Sequence, residues 1–493
     1  MTGLPLSHLV GQPLIVDPLI TGVTADSRKV QPGFLFAALP GALADGRAFL
    51  PQALANGAAA VLAPQDTPDL EAPLVRSGDV RRLYALAATR FHGPQPEIVV
   101  AVTGTNGKTS VATFCRQIFA RLGHRAASLG TLGLELEDAG LKRQALTGPG
   151  LTTPDAAEIA RYAADLHARG VDRFVLEASS HGLDQRRLDG LTLAAAGFTN
   201  LTQDHLDYHG SMEVYRDAKL RLFQQLLPRG AVAVLNADSP AFSAFAAAAV
   251  VNGHAVLSVG EKGMGLRLVE RRPTPYGQHL TLSFQGRISD VKLPLAGAFQ
   301  AANVLVAAGL CLAVGEDPDA VIAALATLQG APGRLQRVGQ SPTGGEAYVD
   351  YAHTPDGLKT VLGALRPHTQ GRLIVVFGAG GDRDKTKRPL MGEAAGRLAD
   401  LCIVTDDNPR SEDPAAIRAE VLAGCPSALD IGDRRAAIRV GVAQLGEGDI
   451  LVVAGKGHEQ GQTVAGVVHP FDDVFETAAA LKGQTADAGR ADV

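Results

Sequence analysis

The stretch from Ile98 to Leu122 constrains this chain most. A continuous apolar run, IVVAV, passes into the glycine loop TGTNGKTS and then into a helical pattern. There Val111, Phe114, Ile118 and Leu122 recur at i, i+3, i+7 and i+11, one apolar face of a helix. A buried strand, a tight loop and an amphipathic helix in succession open an α/β unit. Backbone N–H groups in such a loop, with the helix N-terminus behind them, make a positive cradle for phosphate. Lys108 is placed to neutralise β- and γ-phosphates, and the Thr109 hydroxyl to ligate Mg²⁺. The pattern G-x-x-x-x-G-K-[ST] is incomplete, because Val102 stands at its first glycine. The loop predicts phosphate binding and leaves the reaction open.

At 493 residues the chain exceeds one ordinary domain. The prolines and glycine of HGPQPE, His92 to Glu97, break helix and strand and read as a linker. RFVLEAS and AVAVLNAD add buried-strand candidates to the middle of the chain. Beyond QGAPGRLQRV lie AYVDYAH, LIVVFGAGGDRD, LCIVTDDNPR and ILVVAGKGHE, apolar runs that each end in charged or glycine-rich residues. Open parallel sheets bind ligands beyond the carboxyl ends of their strands, where these polar clusters would lie. GAGGDRDK is no dinucleotide fingerprint, since Arg383 stands where G-x-G-x-x-G needs glycine.

A formal net charge of −5 argues against general nucleic-acid binding. Cys115, Cys311, Cys402 and Cys425 lack any CxxC spacing, which argues against a zinc site or a disulfide framework and fits a reducing cytoplasm. The N-terminus has no basic region before an apolar core, so no signal peptide is expected. No apolar run reaches membrane-span length, AFSAFAAAAVV coming nearest. The composition reads as a cytoplasmic globular protein.

GTNGKTS, LEASSHGL, NLTQDHLDYHG, YRDAKLRLF, VDYAHTPDGL, GGDRDKTKRPLMG, DDNPRSEDP and GKGHE follow one another in that order. The series resembles the MurE class of Mur ligases, the UDP-N-acetylmuramoyl-tripeptide synthetases, over essentially the whole chain. The resemblance implies an α/β fold of three domains: a UDP-substrate-binding domain over residues 1–91, a central P-loop-type parallel-sheet ATPase domain over 92–330, and a C-terminal Rossmann-like amino-acid-binding domain over 331–493. It implies an ATP-dependent ligase of peptidoglycan biosynthesis. The γ-carboxylate of UDP-N-acetylmuramoyl-L-alanyl-D-glutamate is phosphorylated, and an incoming amine attacks the acyl phosphate to give an amide, ADP and phosphate. Such chemistry gathers negative charge that metal and basic residues must offset.

The resemblance also implies the site. Gly104, Thr105, Asn106, Gly107, Lys108, Thr109 and Ser110 would hold the ATP phosphates, with Asn303 at the adenine and Arg334 and Asp350 at ribose and phosphate. The family pattern FN-x-x-N is altered here to FQAAN, with Gln300 in place of the first Asn. Thr109 and Glu177 would hold one Mg²⁺ and His205 a second, with Lys219 a ligand as a carbamate. Taken singly, a strand-end Glu, a loop His or a helical Lys is an ordinary structural or solvated residue, and a lysine ammonium cannot ligate Mg²⁺. The nucleotide substrate would meet Ser27, Thr152, Thr153, Ser179, Gln185 and Arg187. Arg383, Asp407, Asn408, Pro409, Arg410, Gly455 and Glu459 match the amino-acid pocket of diaminopimelate-adding enzymes. A guanidinium such as Arg410 binds the distal carboxylate of meso-diaminopimelate bidentately, and lysine lacks that group. L-Lysine or L-ornithine addition stays as an alternative, as does folylpolyglutamate synthetase, which shares a similar phosphate loop. A nucleotide-regulated accessory without catalysis would not need Lys108, Glu177, His205 and Lys219 together. A monomer, with no nucleic-acid partner, is expected.

Overall fold

The computed structural model describes residues 3–41, 44–138 and 143–483. The chain packs as two compact units, Met1–Leu266 with Val306–Val321, and Arg267–Leu305 with Ile322–Val493.

The first unit contains a small parallel sheet of Gly22–Thr24, Phe34–Ala37, Ala60–Pro64 and Leu74–Ser77, paired in chain order. Successive side chains of a strand face opposite ways, so Leu35, Ala37 and Leu62 enter one apolar cluster while Phe36, Val61 and Ala63 enter another. Helix Val80–His92 closes this part, capped by the Asp79 side chain at the Arg82 N–H.

The larger sheet of this unit runs Gln144–Ala145, Gly133–Glu137, Ala126–Gly130, Arg173–Glu177, Ile98–Thr103, Ala195–Phe198, Val232–Asn236, Ala255–Gly260. From Ala126–Gly130 onward every pairing is parallel. The strand Ile98–Thr103 lies between two strands that come later in the chain, which puts its loop at a crossover point of the sheet, where α/β folds bind ligands. Both of the middle strands foreseen, RFVLEAS and AVAVLNAD, are present in it. Helix Lys108–Arg121 follows the loop and buries Val111, Phe114 and Ile118 completely, whereas Leu122 caps its end. Leu220, Phe223 and Leu227 are also buried, but helix Met212–Arg221 gives way to a π-helical turn at Leu222–Leu226, so they do not share one regular helix.

In the second unit the four apolar runs with polar ends become neighbouring strands of one sheet: Glu346–Asp350, Ile450–Ala454, Leu373–Phe377 and Leu401–Val404, all parallel. Gln336–Gln340 pairs antiparallel at one edge. Val375, Phe377, Val404 and Val452 face one apolar cluster, and Ile374, Val376, Ile403 and Val453 the other. Such near-continuous apolar strands are what a sheet covered on both faces requires.

The AFSAFAAAAVV stretch folds into helix Phe242–Val251, and among the described residues no helix is long and apolar enough to cross a membrane. All four cysteines are buried and free.

Arg434 and Asp473 are fully buried and paired by two hydrogen bonds of 2.8 and 2.7 Å, while Arg434 also donates to the Ala454 carbonyl at 3.0 Å. Removing one partner strands a buried charge, whereas replacing both does not. Asp473→Asn should therefore lower stability in urea titration by about 3–5 kcal/mol, and Arg434→Met with Asp473→Leu by clearly less.

Candidate active site

Parallel register sets Glu177 opposite Val102 and Phe198 opposite Thr103, so three strand ends meet at the glycine loop. Gly104 adopts φ +150°, and a Cβ there would fall 1.9 Å from the Thr199 hydroxyl. Gly107 adopts φ +88° as the N-cap of helix Lys108–Arg121, a left-handed conformation that glycine adopts without strain. The loop is tied down from the Ala195–Phe198 side: the Thr199 hydroxyl donates to the Asn106 carbonyl at 2.6 Å, and the Thr105 N–H donates to the Asn200 carbonyl at 2.9 Å.

Glu177 is buried at the end of its strand. Its Oε2 accepts from the Thr109 hydroxyl at 3.0 Å and its Oε1 from the Thr131 N–H at 2.9 Å. Gly130 leaves room for this carboxylate, since a Cβ there would lie 1.9 Å from Oε1. The segment Thr152–Thr153 joins the same point. The Thr153 hydroxyl donates to the Glu177 carbonyl at 2.7 Å and accepts from the Ser179 N–H at 3.0 Å, while the Thr152 hydroxyl lies 3.0 Å from that of Thr131. Arg187 donates to the Thr153 carbonyl and, at 2.7 Å, to the Gln185 side chain. Thr152, Thr153, Ser179, Gln185 and Arg187 are thus one cluster around Glu177. Ser27 is buried elsewhere, bonded to Gln52 at 2.7 Å.

Lys108 Nζ donates to the Gly104 and Thr105 carbonyls, each at 2.8 Å. Lys219 is buried as well, and its Nζ donates to the same Gly104 carbonyl at 2.9 Å and lies 4.4 Å from the centre of the Tyr215 ring. Burial, reinforced by the neighbouring Lys108 charge, pulls the Lys219 amine down to about 6. His205 is half-exposed, in a left-handed backbone conformation at φ +52°, with its ring edge-on to His181 at 4.9 Å. Among the described residues no group of three or more His, Cys, Asp or Glu is arranged to hold a metal ion. The candidate Mg²⁺ ligands are of another kind, a hydroxyl, one carboxylate, one imidazole and one lysine.

In the second unit, Asp350 ends its strand and accepts from the Leu335 N–H at 2.7 Å and the Ala352 N–H at 2.8 Å. Burial pushes its carboxyl up, against the pull of Arg334. The Arg334 guanidinium lies over the Tyr351 ring at 4.5 Å. Gln300, the departure from the family pattern, is fully buried; it accepts from Asn303 Nδ2 at 3.4 Å and donates to the Arg334 carbonyl at 3.1 Å. The substitution therefore keeps a link between the Asn303 helix and Arg334.

Of the residues expected for the amino acid, Asp407, Asn408, Pro409 and Arg410 follow the strand Leu401–Val404, and Gly455 and Glu459 follow Ile450–Ala454. Asn408 Nδ2 donates to Glu459 Oε2 at 2.9 Å. Arg410 has φ +55°, its N–H donating to the Thr463 carbonyl at 2.9 Å and its carbonyl accepting from the Ala465 N–H at 2.7 Å. Its Nη1 donates to the Gly381 carbonyl at 2.6 Å. Gly381 must be small, because a Cβ would sit 1.9 Å from the Pro409 carbonyl oxygen. Asp407 is buried beside Gly455, with Oδ2 lacking a hydrogen-bond partner. Arg383 is exposed, and among the described residues no hydrogen bond joins it to this network. The sequence reading did not single out Gly130, Thr131, Gly381, Lys456 or the hairpin Gly461–Val464/Val467–Pro470. Of these, Gly381 and Lys456 had a signal there, inside GGDRDKTKRPLMG and GKGHE.

A glycine loop before a helix, a strand-end carboxylate beside it, and a second parallel sheet whose strands end in polar loops fit the class of nucleotide-dependent ligases. Three family models match: "Mur ligase family, catalytic domain" over residues 19–91, "Mur ligase middle domain" over 102–311, and "Mur ligase, glutamate ligase domain" over 333–457. The UDP-N-acetylmuramoyl-L-alanyl-D-glutamate–2,6-diaminopimelate ligase of Caulobacter vibrioides is 67% identical over 97% of this chain and 99% of its own. Its counterpart from Brucella melitensis is 52% identical over 94% of each. A solved structure of a ligase of the same name superposes with a TM-score of 0.75 at 35% identity, covering 98% of this chain and 99% of that one. The chain belongs to the Mur ligase family.

Gly130→Ala tests the role of the Glu177 position. Displacing a positioned group by about 1 Å costs on the order of 10²-fold in rate. The variant should show that loss in ADP release while its thermal midpoint shifts by only a few degrees.

Proposed function

We propose that this chain is the ATP-dependent ligase that joins meso-diaminopimelate to UDP-N-acetylmuramoyl-L-alanyl-D-glutamate in peptidoglycan synthesis. The observation that carries it is 67% identity, over 97% of the chain, to a ligase of that name. ATP transfers its γ-phosphoryl group to the γ-carboxylate of the terminal D-glutamate, releasing ADP. The diaminopimelate amine attacks the acyl carbon, the new amide forms, and phosphate leaves with the C–O bond electrons.

In this reading the domains 1–91, 92–330 and 331–493 take the uridine nucleotide, ATP and the amino acid respectively. The loop Gly104–Ser110 holds the phosphates, with Asn303, Arg334 and Asp350 completing the ATP contacts. Lys108 releases its two carbonyl partners to meet the transferring phosphoryl group. Ser27, Thr152, Thr153, Ser179, Gln185 and Arg187 bind the nucleotide dipeptide, Arg187 being able to pair with a phosphate or a carboxylate. Arg383, Asp407, Asn408, Pro409, Arg410, Gly455 and Glu459 receive the diamino acid.

The residues fit Mg²⁺ in part as they stand: the Thr109 hydroxyl and Glu177 Oε2, 3.0 Å apart, are hard oxygen donors suited to one cation. His205 would hold a second Mg²⁺, and Lys219 would contribute only as a carbamate. Mg²⁺ held there would offset the negative charge between the phosphates and the substrate carboxylate. A lysine whose amine is drawn down to about 6 is mostly uncharged at neutral pH, the form that reacts with CO₂. The amine nitrogen bonds to the CO₂ carbon and loses one proton to solvent, leaving an anionic carbamate.

¹³C NMR of the enzyme in ¹³C-bicarbonate should show a carbamate resonance that is absent from Lys219→Ala, and that variant should lose activity. Full activity of Lys219→Ala, with or without bicarbonate, would sink the assignment.

Arg410 sets the choice of amino acid. A site built to bond a polar group rejects an analogue lacking it, by on the order of 10⁴-fold in favourable cases. In tripeptide formation from ATP and the nucleotide dipeptide, kcat/KM for meso-diaminopimelate should exceed that for L-lysine or L-ornithine by at least about 10²-fold. Turnover with lysine or ornithine and none with diaminopimelate would refute the role of Arg410.

A further inference from the structure

We infer that Lys456 is a positioning residue for the amino-acid pocket, fixing the orientation of the Asn408 amide and of the Glu459 carboxylate; this rests on the proposed use of that pocket for the incoming diamino acid.

Lys456 follows the strand Ile450–Ala454 and its side chain is fully buried. The turn that carries it has two glycines in left-handed conformations, Gly455 at φ +121° and Gly457 at φ +58°. A Cβ at Gly457 would lie 2.7 Å from that of Tyr351, so the turn is pressed against its neighbour with Lys456 on the inner side. Lys456 Nζ donates to Asn408 Oδ1 at 3.0 Å and to Glu459 Oε2 at 3.3 Å.

These contacts decide how Asn408 must point. A lysine ammonium has donors and no acceptor, so the amide oxygen, not the nitrogen, has to face it. The Thr463 N–H donates to the same oxygen at 2.9 Å and imposes the same orientation. The amide nitrogen is then turned to Glu459, where Nδ2 donates to Oε2 at 2.9 Å.

Both donors on Glu459 converge on Oε2, while the side chain remains 37% exposed. Oε1 therefore stays available to an ammonium, and the second hydrogen of Asn408 Nδ2 to a carboxylate. An adjacent acceptor and donor of this kind match the zwitterionic head of an α-amino acid. The buried cation thus dictates the polarity of the pocket without touching the ligand.

The test is steady-state kinetics of Lys456→Met in the full-length enzyme, with meso-diaminopimelate, ATP and the nucleotide dipeptide varied in turn. Losing a buried hydrogen bond to a charged group is worth roughly 10- to 100-fold. KM for diaminopimelate should rise by that factor, with KM for ATP unchanged within about twofold and kcat falling less than KM rises. In an Asn408→Ala background the same change should add less than about threefold, because the orientation it secures is already lost. If Lys456→Met fails to fold, Lys456→Gln keeps an N–H donor and should show the same split at smaller size. A lowered thermal midpoint with all three KM values unchanged, or losses that multiply fully in the double variant, would overturn the inference. If the wild-type enzyme formed no tripeptide with any amino acid, the proposed function would fail instead.

Discussion

The position of the Glu177 carboxylate is the constraint on which the rest of the first unit depends. Parallel pairing fixes Glu177 opposite Val102, two residues before the glycine loop begins. A carboxylate carried so far into a buried sheet is costly unless its oxygens are occupied. Thr109 from the loop helix and Thr131 from the neighbouring strand end occupy them, and the missing Cβ of Gly130 leaves the space. Its carbonyl then anchors Thr153, which anchors Ser179 and Arg187. One strand-end acid therefore links the glycine loop and its helix to the Thr153, Ser179 and Arg187 cluster.

Buried cations are treated in two ways. In the second unit each has a carboxylate: Arg388 pairs with Glu412 and Glu420, Arg434 with Asp473, and Lys456 with Glu459. These pairs hold the loops that line the pocket, for Arg388 also donates to the Gly380 carbonyl at 3.3 Å, and Arg388 and Lys385 draw the Glu412 carboxyl down to about 2. Lys219 is different. It is as deeply buried, yet its contacts are a carbonyl already shared with Lys108 and an aromatic ring. Neither contact offsets its desolvation as a carboxylate would, which is why its amine moves and those structural arginines stay charged.

The elements that carry the site were legible because their signals are local. An apolar run ending in Asp350, Gly378, Thr405 or Gly455 announces both a buried strand and the polar loop after it. The phosphate loop and the DNPR segment were read in this way, whereas the role of Glu177 came from the resemblance, a strand-end Glu alone being ordinary. What escaped was set by register between distant segments. Gly130 and Thr131 matter only because their strand lies beside Glu177, and nothing in SLGTLG says so. The hairpin Gly461–Val464/Val467–Pro470 reads as an ordinary turn until Thr463 and Ala465 are found on the backbone of Arg410. Leu220, Phe223 and Leu227 stand at the i, i+3, i+7 spacing of one helix face, yet the chain passes through a π-helical turn at Leu222–Leu226 that leaves all three buried.

Arg410, the proposed reader of the amino acid, shows how such long-range partners fix a motif residue. A left-handed conformation at an arginine is strained, and strain of this kind survives only where the surroundings over-determine it. Here two backbone hydrogen bonds to the hairpin and one from the guanidinium to Gly381 do so. The glycine at 381 is required because the Pro409 carbonyl is pressed against it. With one guanidinium nitrogen committed to the protein, the remaining N–H groups are held in a fixed fork rather than sampling many rotamers. A pre-oriented fork loses less entropy on meeting a carboxylate than a free side chain would. The same fixation leaves it unpaired beside a ligand without that carboxylate. On the proposed reading, discrimination between diamino acids comes from the rigidity behind Arg410 as much as from its charge.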